Sequence, residues 1–271
     1  MHYCKLMQNK SLKFAAVLLA FSLSGCGLLP EKVDETAGWS ASKLYSEARD
    51  EMSSGNYEKA VQYFEKLESR YPFGTYAQQA QMEIAYAYYR QGDQAQGVAA
   101  VERFIKLHPN HPNVDYMYYL RGLINFNDQA GFLSSITKQD PSERDSKAAR
   151  DAFDSFKQLV DRFPDSIYAK DSIARMKYLV NSMAKYEVHV AKYYYRRGAY
   201  IAAANRAQLA VSEYREAPAV EEALYVMMRS YEALGMKDLR DDAERVLTTN
   251  FPSSVYYKGG PAKDDPWWKI W

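Results

Sequence analysis

The chain has 271 residues, 35 lysines and arginines against 34 aspartates and glutamates, and a formal net charge of +1, a balance that offers no electrostatic field for holding nucleic acid. Glycine and proline are sparse at 13 and 10, and 24 residues are tyrosine, which argues for packed helices with amphipathic aromatic faces and against a turn-rich β-sandwich. With only two cysteines, Cys4 and Cys26, there is no basis for a disulfide framework or a thiolate metal site.

At the start of the chain, Lys5, Lys10 and Lys13 precede an apolar run from Phe14 to Leu23 that is too short to span a bilayer, the layout of an export signal. The run ends in Leu23-Ser24-Gly25-Cys26, which resembles the bacterial lipobox. That resemblance implies removal of residues 1–25, diacylation of the Cys26 sulfur and acylation of its new amine. Gly27, rather than an aspartate, follows the cysteine, and the same resemblance implies sorting to the outer membrane. Loss of the leader removes three lysines and Cys4, taking the net charge from +1 to −2 and leaving Cys26 as the one cysteine. More than one acyl chain makes anchoring effectively stable. The expectation is a body tethered through residues 26–38 to the inner leaflet and facing the periplasm. An ordinary signal-peptidase site with an incidental cysteine is the alternative, and it too predicts export.

Beyond the tether, Gly55 and Pro72, Gly92 and Pro109, and Gly235 and Pro252 are each 17 residues apart, and the pairs Gly55/Gly92 and Gly198/Gly235 are each 37 apart. Such an interval is the mark of a helical repeat, with one helix ending at the glycine and the next stopping before the proline. Ala60, Phe64 and Pro72 recur at the same spacing as Ala152, Phe156 and Pro164. A small residue at a helix crossing, an aromatic one turn later and a closing proline form the tetratricopeptide pattern. Ile84, Ala85 and Tyr88 before Gly92, and Val190, Ala191 and Tyr194 before Gly198, keep helical spacing. The prediction is an all-α solenoid of about five tetratricopeptide-like (TPR) helix-turn-helix repeats.

Units 1 and 2 occupy residues 39–110, unit 3 residues 111–164, unit 4 residues 165–217 and unit 5 residues 218–254. Unit 3 carries an insertion between its helices at roughly 127–146, where Asp140-Pro141-Ser142 reads as an exposed loop. Tyr168 to Arg197 contains neither glycine nor proline, so the first helix of unit 4 is predicted to be extended, either marking a binding face or buttressing the middle of the array. The remaining 255–271 form a tail in which Gly259-Gly260-Pro261 breaks the last helix and Trp267, Trp268 and Trp271 follow. Clustered indoles predict docking on a partner or on the solenoid, against a terminus with no role.

Catalytic and metal chemistry find little support. His108 and His111 have no third ligand at useful spacing and read as polar residues of an inter-repeat turn, and His189 reads as a hydrogen-bonded core histidine. There is no phosphate loop, nucleophile elbow or H-E-x-x-H helix, and Glu143, Asp145 and Asp151 lie in charge-mixed stretches. The expectation is a protein without enzymatic activity and without a cofactor other than the lipid on Cys26.

Longer motifs carry a family resemblance. Arg70-Tyr71-Pro72-Phe73-Gly74-Thr75-Tyr76-Ala77-Gln78-Gln79, the run Phe104 to Tyr116, Leu120-Arg121-Gly122-Leu123, Asp140-Pro141-Ser142-Glu143-Arg144-Asp145, and the stretch from Ala184 through Arg197-Gly198-Ala199-Tyr200 to Asn205-Arg206 resemble the BamD (ComL) family of outer-membrane protein assembly lipoproteins. The resemblance covers most of the chain after the leader and stops short of Asp264 to Trp271. It implies a component of the BAM complex, which inserts β-barrels into the outer membrane. The partners it implies are the POTRA domains of a BamA-like barrel subunit, other BAM lipoproteins and unfolded barrel substrates. It further implies substrate reception by the first repeats and POTRA docking by the later ones, with Arg206 at the docking surface.

A substrate arriving as an extended chain with alternating aromatics calls for an apolar groove with hydrogen-bonding rims. Tyr71, Phe73 and Tyr76, arranged around Pro72 and Gly74, are the candidate contacts, with packing between units the alternative for Tyr71. Lys192, Arg196, Arg197 and Arg206 make unit 4 locally basic, and an arginine fork suits a partner carboxylate. Arg197 and Arg206 are singled out on the resemblance. Two other functions stay open: a TPR lipoprotein scaffolding another cell-envelope complex, and a lytic or peptidase enzyme built on the solenoid.

Overall fold

A computed structural model describes residues 34–127 and 146–258. The lipobox with Cys26, the insertion of unit 3 and the tryptophan-bearing tail from residue 259 lie outside the described residues. The chain divides into two units, residues 1–40 and 41–271. In the described part of the first, the Asp34 carboxylate accepts from the Thr36 amide at 3.1 Å and from its hydroxyl at 2.7 Å, closing a short turn.

The described residues of the second unit form ten α-helices and no strand. They are α1 (Ala41–Ser53), α2 (Tyr57–Arg70), α3 (Thr75–Gln91), α4 (Gln94–Leu107), α5 (Val114–Asn127), α6 (Ser146–Arg162), α7 (Ala169–Arg196), α8 (Tyr200–Glu213), α9 (Val220–Ala233) and α10 (Lys237–Asn250), followed by a 3-10 turn at Val255–Lys258. Each helix packs on the next in chain order, and α1 touches α3, α3 touches α5 and α7 touches α9. Five helix pairs therefore stack in succession, and the first helices of the first three pairs lie side by side as one wall, the inner wall.

Local chemistry explains why the pairs repeat. Gly92 ends α3 at φ +75°, a left-handed conformation that a Cβ would strain. This lets the Gly92 amide bond back to the Tyr89 carbonyl and the Asp93 amide to Tyr88. The same two bonds recur at Gly55, Gly198 and Gly235. At the other end of a pair, Tyr71, His108 and Phe251 cap α2, α4 and α10 with φ near −130°. Each precedes a proline, whose ring excludes the helical conformation from the residue before it.

Small residues sit where helices cross. Ala60 and Ala152 are fully buried, as are Phe64 and Phe156, so the repeat signature marks packing positions. Helix α8 buries only alanines, Ala203, Ala204, Ala207 and Ala210, and so lies close against α7 and α9. The 28 residues of α7 serve two neighbourhoods. Leu179 and Met183 pack with Ala149, Ala152 and Phe156, while Ala184, Val188 and Ala191 pack with Ala207, Ala210, Ala223 and Leu224. Each half has its own core. No helix among the described residues is long and apolar enough to cross a membrane.

Candidate functional site

The turn between the first two pairs holds the aromatic candidates. Tyr71 leaves α2 with φ −129° and ψ 65°, and Gly74 precedes α3 at φ +102° and ψ 178°, a conformation open essentially to glycine. Between them Phe73 is held out, 90% exposed, whereas Tyr71 and Tyr76 are 38% and 39% exposed. Tyr76 leans on Tyr45 with ring centroids 5.5 Å apart, and Tyr45 on the buried Phe64 at 5.6 Å. Tyr76 thus links the turn through Tyr45 to the buried Phe64.

Beside Tyr45 the inner wall opens into a groove of about 750 Å³. Its lining comes from Tyr45, Arg49 and Met52 of α1, Met82, Glu83, Tyr86 and Arg90 of α3, Tyr116 of α5, and Tyr57 and Tyr168 at the starts of the helices beside them. Glu83 is held by Arg49 at 2.6 Å and accepts from the Tyr45 hydroxyl at 3.4 Å. The Arg90 guanidinium lies over the rings of Tyr57 and Tyr86, 5.2 and 5.8 Å from their centroids, and donates to the Tyr86 hydroxyl at 3.0 Å. Burial, reinforced by Glu83, raises the Tyr45 phenol above its usual range. Burial does the same for Tyr116 and Tyr168. These hydroxyls stay protonated at neutral pH and can donate to a peptide backbone.

The groove sets charged side chains among tyrosine rings. Of the predicted aromatic residues, Tyr76 reaches it through Tyr45, while Tyr71, Phe73 and Gly74 are not among its lining residues. Sequence reasoning missed Tyr45, Tyr57, Tyr86, Tyr116 and Tyr168. A signal existed: Tyr45, Arg49 and Met52, and Met82, Tyr86 and Arg90, recur at helical spacing along α1 and α3.

The basic candidates lie on unit 4. Arg197 ends α7, exposed, with its guanidinium 5.4 Å from the centroid of the half-exposed Tyr193. Arg206 on α8 is not a fork waiting for a partner: it binds Glu187 of α7 at 3.0 Å, and that carboxylate is only 2% exposed. The hydrogen bond to Glu187 raises the Arg206 pKa further. Because 42% of the arginine side chain is exposed, it offers both an internal anchor and an outer donor edge. Lys192, next to this region, is tied to Glu222 of α9 at 2.9 Å.

His108 and His111 are structural. His108 Nε2 meets Gln81 Oε1 at 2.9 Å, and Gln81 donates to Glu68 at 2.9 Å, linking α2, α3 and the end of α4. His111 sets its edge on Phe104 at 5.2 Å and accepts the Asn113 amide at 3.1 Å. Burial, with a smaller contribution from His108, lowers its pKa below the ordinary 6.5. No cluster of three or more metal-ligating side chains occurs among the described residues. His189 is a correction: it lies on the exposed side of α7 and not in the core, because Met183, Ala184, Glu187, Val188 and Ala191 occupy the inward face.

Stacked helix pairs with an inner tyrosine groove define the chain as a tetratricopeptide-like repeat protein. A family model described as outer membrane lipoprotein, YfiO, matches residues 38–257. The chain therefore belongs to that family. It is 47% identical over 259 residues to the outer membrane protein assembly factor BamD of Neisseria meningitidis serogroup A (strain Z2491), covering 94% of this chain and 97% of the relative. BamD of Xylella fastidiosa (strain Temecula1) is 40% identical, covering 90% and 84%. BamD of Vibrio cholerae is 38% identical, covering 86% and 96%.

Proposed function

We propose that this chain is a non-catalytic scaffold of outer membrane protein assembly, anchored through lipid on Cys26 to the inner leaflet of the outer membrane and facing the periplasm. It receives unfolded β-barrel proteins on its first units and docks through unit 4 on the POTRA domains of a BamA-like subunit, alongside other BAM lipoproteins. Family membership supports the assembly role. The observation that carries substrate reception is the tyrosine-lined groove, whose rigid rings offer contact area at low entropic cost and whose hydroxyls offer donors to an extended backbone. Tyr71, Phe73, Gly74 and Tyr76 form the approach to it, with Phe73 already in solvent. Docking rests on the exposed Arg197 and on the outer edge of Arg206, whose planar forks suit a partner carboxylate.

Two measurements test this reading. Affinity purification of the lipidated protein from membranes is expected to recover a barrel subunit with POTRA domains. A photo-crosslinking residue in place of Tyr86 is expected to capture an unfolded barrel chain, whereas one in place of Arg103, which pairs with Glu68 outside the groove at 2.9 Å, is not. Absence of the barrel subunit, or equal capture at both positions, overturns the proposal.

A further inference from the structure

Away from the tyrosine groove, a second cavity of about 710 Å³ opens where units 3, 4 and 5 meet. Phe153 of α6 and Ile173, Met176 and Val180 of α7 supply its apolar lining, and the turn from Glu216 to Pro218 that enters α9 closes one side. Ile173 is nonetheless 42% exposed. Asn181 also lines the cavity, and its Oδ1 is shielded from solvent without a hydrogen-bond donor among the described residues. A buried acceptor is costly until a donor reaches it. Lys177 and Glu216 stand at the same cavity, and neither is held in an ion pair among the described residues. An apolar lining, one acceptor without a donor and a charge of each sign fit an aromatic N–H group flanked by acidic and basic residues.

We propose that residues 259–271 of this chain fold back across unit 5 and seat an indole of the Trp267-Trp268 pair in this cavity. Indole combines a large apolar surface with an N–H that donates and cannot accept, so it fills the lining while supplying the donor that Asn181 lacks. Asp264-Asp265 precede the pair and Lys269 follows it, which provides carboxylates for Lys177 and an ammonium for Glu216. The described fold ends on the side this requires. Helices α9 and α10 are joined through Leu234, Gly235 and Met236, so the end of α10 returns to the start of α9, beside Glu216 to Pro218. Beyond α10, Tyr256 stacks on Tyr225 of α9 at 4.8 Å and packs against the same core as Ala217 and Val180, both of which line the cavity. The stretch from Lys258 to Trp267 spans about 30 Å when extended, more than the roughly 21 Å length of α9. The outer face of α10, with Leu239 and Val246 exposed, lies nearer in sequence. Its one unpartnered buried side-chain atom among the described residues, Arg240 Nε, is a donor and cannot accept from an indole.

The test uses the full chain after its leader, with Cys26→Ser, and reads two signals. With Trp39→Phe, every remaining tryptophan lies in the tail. Its emission is expected at shorter wavelength, and to be quenched less by acrylamide, than that of a synthetic peptide of residues 259–271. Ile173→Glu is expected to return both values to those of the peptide while leaving helix content by circular dichroism unchanged. In the second measurement, Trp268→Cys paired with Ile173→Cys is expected to close a disulfide within one chain under mild oxidation, and Trp268→Cys paired with Leu239→Cys is not. This second measurement decides the matter if Ile173→Glu loses helix content. Emission equal to that of the peptide, or a disulfide at Leu239 and none at Ile173, overturns the proposal. A product that links two chains in place of the internal bond also overturns it, assigning the tail to a second copy.

Discussion

Gly122 of α5 lies directly against the ring of Phe156 of α6. A Cβ placed on Gly122 would stand 2.8 Å from Phe156 Cζ and closer still to Cε1 and Cδ1. Phe156 is fully buried and packed by Tyr119, Phe126, Leu179 and Met183, so the ring has no vacant space to enter. The glycine of the Leu120-Arg121-Gly122-Leu123 motif therefore sets how closely the two helices of unit 3 approach. Gly122→Ala is expected to destabilise the protein by about 1–3 kcal/mol, the range for overpacking a filled core, despite alanine's better helix propensity. Urea denaturation would measure it, and adding Phe156→Leu should recover part of the loss.

The Arg206–Glu187 pair makes a different prediction. Arg206→Met leaves a carboxylate that is 2% exposed without its arginine. The expected loss is about 1–3 kcal/mol, less than for a fully buried pair because much of Arg206 is in water. Arg206→Glu sets two carboxylates together and is expected to cost more. Glu187→Gln with Arg206→Met should restore most of the stability. Complex recovery must therefore be read with thermal denaturation of each variant, since a loss of docking that tracks stability would assign Arg206 to the fold alone.

Arg197 gives the cleaner docking probe. Its guanidinium lies over the ring of Tyr193, a contact worth about 0.5–1 kcal/mol at an exposed site. Arg197→Ala should leave the melting temperature within a few degrees of wild type while reducing co-purification with the POTRA-bearing subunit. Full recovery of the complex at low and high salt would remove Arg197 from the interface.

His111 links stability to pH. Its folded pKa is lowered from 6.5 by burial first and by His108 second. As the pH falls through 6.5, the unfolded chain takes up a proton that the folded chain refuses, so stability is present above that pH and declines below it. His111→Gln should flatten the stability profile between about pH 7 and 5. An unchanged profile would show that other groups control the slope.

Anchoring is tested at Cys26, which lies outside the described residues. Cys26→Ala is expected to abolish labelling by a radioactive fatty acid and to move the protein out of the outer-membrane fraction. Retention of both in the variant would end the lipoprotein reading.

The repeat was legible because its determinants are local. Gly92 demands a left-handed turn within two residues, Pro72 and Pro109 forbid helix at the residues before them, and Ala60 and Ala152 mark crossings one turn before Phe64 and Phe156. Such constraints act over a few bonds and survive in the linear order of residues. The tyrosine groove was not legible in that way. Tyr45, Tyr86, Tyr116 and Tyr168 come from four different helix pairs or the turns entering them, and no spacing along the chain states that they share one wall.

The residues alone thus establish a chain of helical pairs, because turn geometry and helical periodicity depend on neighbours in sequence. Tertiary packing decides that Arg206 spends one edge on Glu187. It also decides that Gly122 admits Phe156 and that His189 faces outward. Each of these is a matter of which side chains from separate helices come within a few ångströms, and that distance is set by how closely successive helices cross.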